Sequence, residues 1–144
     1  MNRSSIPALP CMCANLRRAA RALTQLYDEA LRPTGLRATQ FTVLQALSLT
    51  REVSQRRLGE ILAMDSTTLT RTLDILIRHG WVAKRPGKDR RERRLLLAKP
   101  GEIRFESALP YWQKVQATVR AQLGNERWDA FESLTNEVTF AVTD

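Results

Sequence analysis

With 144 residues, of which 43% are hydrophobic and 26% charged, the chain has the size of one compact domain or of a domain with an added dimerisation arm, and it is not a disordered tail. No apolar run approaches the ~20 residues that cross a bilayer, the N-terminus lacks a signal-peptide pattern, and Cys11 and Cys13 lie too close together to frame a secreted disulfide scaffold. We therefore expect a cytoplasmic protein. Its net charge of +8 predicts a polyanionic partner.

Apolar residues recur every three or four positions in four stretches of the first eighty residues. Start and stop signals bound these stretches: Gly35 follows the first, Ser54 caps the third, the Met64-Asp65-Ser66 stretch caps the fourth, and Gly80 ends it. After a loose arm over residues 1–10, we predict helices at about 12–32, 39–49, 54–63 and 66–79.

The period then changes to that of strands. Residues 81–85 and 93–98 are predicted to form two strands around the turn-forming segment 86–89, and two further helices are predicted at 100–123 and from Glu126 onward. Residues 51–99 hold 13 basic and 6 acidic residues, a net charge of +7, whereas the rest of the chain carries only +1. A local excess of this kind favours nucleic-acid binding over a generic solubilising surface.

Two helices joined by a short turn and followed by a basic hairpin predict a mainly α fold with a small β-hairpin wing, the winged helix-turn-helix. The fourth helix would enter the DNA major groove, and Arg71 is placed to pair with guanine. The alternative is that its hydroxyl residues only cap a helix. The candidate DNA-binding residues of this helix are Ser66, Thr67, Thr68, Thr70 and Arg71.

The hairpin tip supplies the other candidates, Lys88, Asp89, Arg90 and Arg91. An acid at a DNA surface is unfavourable unless it orients a base-reading arginine, so we interpret Asp89 as an orienter for Arg91, which would enter the minor groove. The alternative is a type I turn with Asp at a favoured position.

The sequence resembles the MarR family of bacterial transcriptional regulators from about Cys13 to Val142. The stretches GLRATQFTVLQAL, RRLGEILAMDSTTLTRTLDILIRHGWVAKR and KDRRERRLLLAKPGE carry the resemblance, and the last contains the family's D-x-R wing motif at Asp89 and Arg91. The resemblance implies a dimer with interlocking first and last helices, recognition positions at Thr67, Thr68 and Arg71, and a wing arginine at Arg91. One departure is Ala98, where many members have Thr.

Apolar stripes on the flanking helices include four large aromatic residues that a small DNA-binding lobe cannot cover alone. Burial between two chains would give a homodimer and a pseudo-palindromic operator, whereas in a monomer the helices would pack on one another. The predicted division is an arm and dimerisation helix at 1–36, a DNA-binding lobe at 37–99, and C-terminal dimerisation helices at 100–144.

The stretch CANLRRAARALTQLY resembles the OhrR-type hydroperoxide sensors of the same family. By this resemblance Cys13 falls on the reactive cysteine and Tyr27 on a supporting tyrosine, but Arg17 and Ala38 replace two other supporting tyrosines. Cys11 is the only other thiol, and because residues two apart on a helix point to opposite faces, it can pair with Cys13 only from outside the helix. A structural thiol is the alternative, as is an intersubunit metal or disulfide. Other family members respond to small aromatic acids, and the sequence does not identify an effector.

Neither an enzyme nor a cofactor protein is indicated. The single histidine, His79, has no partnered nucleophile, and no phosphate-binding loop or zinc motif occurs, so no cofactor and no metal are expected. An architectural nucleic-acid-binding protein would share the charge but would need neither the wing motif nor the dimer helices. The sequence thus predicts a homodimeric DNA-binding regulator, a repressor released by a small-molecule or oxidant signal.

Overall fold

The computed structural model describes residues 6–143, and residues 1–5 of the predicted arm and residue 144 lie outside the described residues. Within this range the chain is mainly helical with one small antiparallel sheet, which confirms the predicted fold class. The elements in order are α1 (Met12–Leu31), a 3₁₀ turn (Arg32–Thr34), α2 (Ala38–Thr50), β1 (Glu52–Ser54), α3 (Gln55–Leu62), α4 (Ser66–Arg78), β2 (Val82–Pro86), β3 (Arg93–Leu97), α5 (Lys99–Leu123) and α6 (Asn125–Val142).

The helix ends follow from local capping chemistry. The Ser54 hydroxyl accepts the Arg57 N–H at 3.1 Å to start α3, and an Asp65 carboxylate oxygen accepts the Thr68 N–H at 2.9 Å to start α4. Gly80, at φ 74°, ends α4 in the left-handed conformation that glycine adopts without strain. Ala98 caps α5 without a side-chain hydrogen bond, and a proline in the first turn provides the start signal instead.

The sheet has three strands rather than the two predicted. β3 lies in the centre, paired antiparallel with β2 on one side and with β1 on the other, where Val53 faces Leu95. The predicted hairpin is confirmed as β2 and β3, and β1 is an additional strand that the sequence analysis did not predict. β1 has only three residues, too few to show the period of two, and it exists because β3 offers it a paired edge.

The core lies between the helix-turn-helix, the sheet and the first half of α5. Phe41 of α2 packs against Phe105 and Trp112 of α5, with ring centroids 5.3 and 5.8 Å away. Leu31, at the end of α1, is fully buried in the same cluster. The core thus fixes the start of α5 and the end of α1 to the lobe that carries α3, α4 and the wing.

The opposite ends of the long helices are not covered. No residue of α6 is buried, and in α1 only Leu31 is. An apolar groove of about 750 Å³ runs between α1, α5 and α6. Among the described residues, 6–143, no helix has the length and apolar character to cross a bilayer.

Gly101, in the first turn of α5, packs directly against the backbone of the residue that joins α4 to β2. A Cβ at this position would lie 1.9 Å from the Trp81 carbonyl oxygen, so even alanine requires α5 to move. We expect Gly101→Ala to lower the free energy of unfolding by about 1–3 kcal/mol, measured by urea denaturation. The added methyl group would clash with the backbone of Trp81, and no flexible side chain is there to move aside.

The matched control is Gly59→Ala, inside α3, where a Cβ would make ordinary contacts of 3.4 Å. This variant should gain about 0.5–1 kcal/mol from helix propensity. Equal stability of the two variants would contradict the close packing of α5 on Trp81.

Candidate nucleic-acid interface

The first turn of α4 is held together by its own hydroxyl and carboxyl groups. The Thr68 hydroxyl donates to Asp65 at 2.7 Å, so it is committed to the cap. These hydrogen bonds hold the pKa of Asp65 below its usual value, and the cap stays ionised at neutral pH. Thr70 accepts a hydrogen bond from the Gln55 amide at 3.2 Å, which ties α4 to α3.

The remaining candidates on α4 are exposed, and their side chains are free to contact a ligand. Ser66, Thr67 and Arg71 have no side-chain hydrogen bond or ion pair with any other described residue, and all three side chains are exposed. Leu69, Leu73 and Leu76 bury the opposite side of the helix. Because residues three and four apart share a helix face, Thr67 and Arg71 project outward together.

Two further residues on this outward face were missed from the sequence. Asp74 and Arg78 follow Arg71 at three and seven positions, and both are exposed. The signal was available, since positions 67, 71, 74 and 78 have helical spacing. Asp74 and Arg78 extend the candidate DNA-binding face of α4 by about two turns of helix beyond Arg71.

The wing tip is a compact turn with outward-pointing side chains. Gly87 N–H donates to the Glu92 carbonyl at 2.9 Å, and an Asp89 carboxylate oxygen accepts the Arg91 backbone N–H at 3.3 Å. Lys88, Asp89, Arg90 and Arg91 are all exposed. The observed contact between Asp89 and Arg91 is thus to the backbone, so Asp89 fixes the turn from which the Arg91 guanidinium projects.

Two wing arginines are held at the base of the sheet by acids. Glu52 of β1 pairs with Arg94 at 3.1 Å and with Arg85 at 3.9 Å, and Glu92 pairs with Arg94 at 2.9 Å. These hydrogen bonds raise the pKa of Arg94. The other five basic residues of the wing form no ion pair with any described residue: Lys84, Lys88, Arg90, Arg91 and Arg93.

The sequence alone could not show which wing cations pair with acids and which form no ion pair. Glu52 lies 42 positions before Arg94 and reaches it only because β1 pairs with β3. The outward face of α4 and the five wing cations without an ion pair are all exposed, and we call them together the basic surface of the lobe.

The two cysteines lie at the start of α1. Cys11 is the N-cap, with extended backbone angles of −133° and 118°, and its sulfur accepts the Ala14 N–H at 3.5 Å. Cys13 is in the first helical turn, and both thiols are exposed. Cys11 is therefore outside the helix, as pairing with Cys13 requires.

Tyr27 does not support Cys13 within one protomer. Fourteen residues of helix separate them by about 21 Å. The Tyr27 hydroxyl instead hydrogen-bonds the Gln116 side chain of α5. Burial raises the pKa of Tyr27, so its hydroxyl stays protonated as a donor at neutral pH.

The α3–α4 pair with a basic hairpin beside it defines a winged helix-turn-helix protein. A sequence profile of the MarR family matches residues 34–92, which include α2 to α4, β2 and the wing tip but not β3. YwoH of Bacillus subtilis (strain 168), an uncharacterized HTH-type transcriptional regulator, is 30% identical over 119 residues, which are 83% of this chain and 87% of YwoH. The chain belongs to the MarR family, whose members are transcriptional regulators rather than enzymes.

Solved structures of regulators have the same fold. The transcriptional regulator MosR of M. tuberculosis, in complex with DNA, has a TM-score of 0.83 and 38% identity over 91% of this chain and 95% of its own. A mutant MarR from E. coli, complexed with operator DNA, has a TM-score of 0.80 and 25% identity over 88% and 92% of the two chains.

Proposed function

We propose that this chain is a homodimeric repressor that binds a pseudo-palindromic DNA operator through its winged helix-turn-helix lobes and is released by a small-molecule or oxidant signal. The observation that carries the proposal is the basic surface of one lobe, where uncommitted Arg71 and five unpaired wing cations are exposed together. The structurally similar MosR and MarR were solved in complex with DNA and with operator DNA, respectively, which supports DNA binding by this fold.

In the proposed complex α4 lies in the major groove and the wing follows the adjacent backbone. Arg71 makes a bidentate contact with guanine, and the Thr67 hydroxyl lies one turn earlier on the same face. Arg91 enters the minor groove from the turn that Asp89 holds. Lys88 and Arg90, on either side of Asp89, bind phosphates.

The proposed dimer is formed by the segments outside the lobe at 37–99, namely residues 1–36 and 100–144. Phe131, Leu134 and Val138 form an exposed apolar stripe on α6, at 39%, 57% and 42% exposure. Phe131 also lines the groove of about 750 Å³ between α1, α5 and α6. A soluble protein rarely leaves such a surface open, and a second copy would cover it with the same surface.

We infer repression rather than activation because a dimer bound over a promoter blocks transcription by occupancy alone. The test is footprinting of the purified dimer on DNA upstream of its own gene, with a large excess of random DNA as competitor. A protected, inverted-repeat site that resists competition is the expected result. Uniform coverage that random DNA removes would instead support the architectural alternative.

Lys88 and Arg90 of the wing contribute affinity without sequence preference, because they bind phosphates. We expect the Lys88→Ala, Arg90→Ala double variant to bind all DNA more weakly, and the slope of log K against log salt to fall by about 1 for each phosphate that the wing no longer neutralises. The measurement is a salt series of binding isotherms on operator and random duplexes.

The control is Lys99→Ala, because Lys99 is an exposed cation outside the wing that pairs with Glu102 at 3.3 Å. Its salt slope should equal that of the parent. A wing variant with the parent's slope would mean that the wing does not contact phosphates.

A second candidate function, redox sensing, is favoured by the position of Cys11. In this scheme the Cys13 thiol reduces an organic hydroperoxide to the alcohol and becomes a sulfenic acid, and the Cys11 thiol then condenses with it to form a disulfide and water. Because Cys11 also caps α1 through its sulfur, the disulfide would remove that cap and distort the first turn.

The test compares DNA binding before and after mild organic hydroperoxide in the parent, Cys13→Ser and Cys11→Ser. We expect oxidation to weaken parental binding at least about tenfold, the range of a modest allosteric coupling. Cys13→Ser should abolish the response, and mass spectrometry of the oxidised parent should show the loss of two hydrogens. Unchanged binding by the oxidised parent would leave both thiols without a sensing role.

A further inference from the structure

Trp81 joins the end of the recognition helix α4 to the wing and to α5. Its backbone N–H donates to the Leu76 carbonyl at 3.0 Å, which closes the C-terminus of α4. Its own carbonyl accepts the Ala98 N–H at 3.0 Å, and Gly101 packs on that carbonyl without room for a side chain. The His79 ring stacks on the indole, with centroids 4.3 Å apart. Trp81 therefore cannot move without α4 and the start of α5.

Arg104 connects this junction to the end of α1. Its guanidinium lies 5.1 Å from the centroid of the Trp81 ring, and its Nη1 donates to the Thr34 backbone carbonyl at 2.7 Å. Thr34 is 5% exposed and ends the 3₁₀ turn that follows α1. One partly buried side chain thus bridges the segment that ends α4 and the segment that ends α1.

The Thr34 end of this bridge is rigid. The Thr34 hydroxyl donates to the Leu31 carbonyl at 2.6 Å and accepts the Leu36 N–H at 3.2 Å, so the turn is fixed on both sides. Arg104 adds a charge-assisted hydrogen bond to its carbonyl, and such bonds are about twice as strong as neutral ones. Removal of the guanidinium would leave a buried carbonyl without this donor and the indole without its cation.

We propose that Arg104 is a positioning residue that sets the angle between α4 and α1, and thereby fixes the half-site spacing that the dimer accepts. The inference rests on the proposed homodimer and its two-part operator. In that dimer α1 is part of the dimerisation region, and α4 is the recognition helix of each DNA-binding lobe. The two recognition helices must enter successive major grooves on one face of the duplex. A change in the angle between α4 and α1 therefore changes the distance between the two recognition helices.

The test measures binding to three duplexes: one contains the operator found by footprinting, one has a base pair added at its centre, and one has a base pair removed there. The parent should discriminate against the altered spacings by about tenfold or more, since a displaced half-site no longer presents its bases to α4. Arg104→Met, which keeps the length of the side chain but removes the charge, should reduce this discrimination at least about threefold. Its affinity for a single half-site should equal that of the parent.

The matched control is Arg32→Met, since Arg32 lies in the same 3₁₀ turn but its side chain is 76% exposed and only pairs locally with Glu29. It should keep the parent's spacing preference. Arg104→Lys, which restores a charged donor, should recover part of the discrimination. A general loss of stability would weaken all three duplexes equally and would leave their ratio unchanged, so an unchanged ratio in Arg104→Met overturns the proposal.

A second measurement does not depend on DNA. A spin label at Ile61, 42% exposed on α3, in a Cys11→Ser, Cys13→Ser background reports the distance between the two lobes of the dimer. The distance distribution should broaden in Arg104→Met and stay narrow in Arg32→Met. An equally narrow distribution in both contradicts the positioning role, whereas a parent without specific DNA binding would contradict the proposed function instead.

Discussion

Leu134→Lys should convert the protein to a monomer and weaken operator binding by about 10²–10⁴-fold, the range in which a linked second site raises affinity. Leu134 is 57% exposed in one protomer, so a lysine there disturbs little of the protomer itself. In the proposed dimer the same position is covered by the partner. Each interface would then contain two buried ammonium groups, at several kcal/mol apiece.

The control is Leu49→Lys, an equally apolar residue that is 81% exposed on α2, away from the α6 stripe. It adds the same charge and should remain dimeric in sedimentation equilibrium with the parent's operator affinity. If Leu134→Lys sediments as a dimer, then α6 is not at the interface. Circular dichroism of both variants separates loss of the dimer from loss of the fold.

Arg71→Ala should weaken binding to the selected operator by about 1–3 kcal/mol for each half-site, because Arg71 is the one arginine on the outward face of the first two turns of α4. Binding to random DNA should weaken far less. The measured quantity is therefore the ratio of the two dissociation constants at one fixed salt concentration.

Arg71→Lys separates charge from geometry. Lysine keeps the positive charge but lacks the planar fork that pairs with guanine, so this variant should keep the parental salt slope and lose most of the specificity. If either variant has the parent's ratio of dissociation constants for operator and random DNA, then Arg71 does not take part in base recognition.

The sequence predicted the helices well because their signals are local. Ser54 and Asp65 carry cap hydroxyl and carboxyl groups beside the turns they cap, and Gly80 and Gly124 lie at the ends of α4 and α5, where a positive φ is needed. Each of these residues acts within four positions of itself. Patterns of that range can be interpreted without knowledge of the rest of the fold.

Features that depend on distant pairing were not predictable in the same way. β1 forms because β3 is present 42 positions later, and the role of Glu52 follows from β1. The bridge from Arg104 to Thr34 spans 70 positions. No local period or spacing encodes such contacts, so the sequence located the basic surface but did not separate its paired from its unpaired cations.

Hydroxyl groups on α4 illustrate the same limit within one short segment. Ser66, Thr67, Thr68 and Thr70 were all candidate DNA-binding residues. In the structure the Thr68 hydroxyl donates a hydrogen bond to Asp65, and the Thr70 hydroxyl accepts one from Gln55. The candidates with no such hydrogen bond among the described residues are Ser66, Thr67 and Arg71.

The most direct test of sequence-specific binding is selection of the purified dimer on a pool of random duplexes, followed by competition of the enriched duplex against random DNA. We predict an enriched inverted repeat whose half-sites lie one or two helical turns apart, and an affinity at least about 10³-fold above that for random DNA. No enrichment, with equal affinity for enriched and random duplexes, would contradict operator recognition by α4 and the wing.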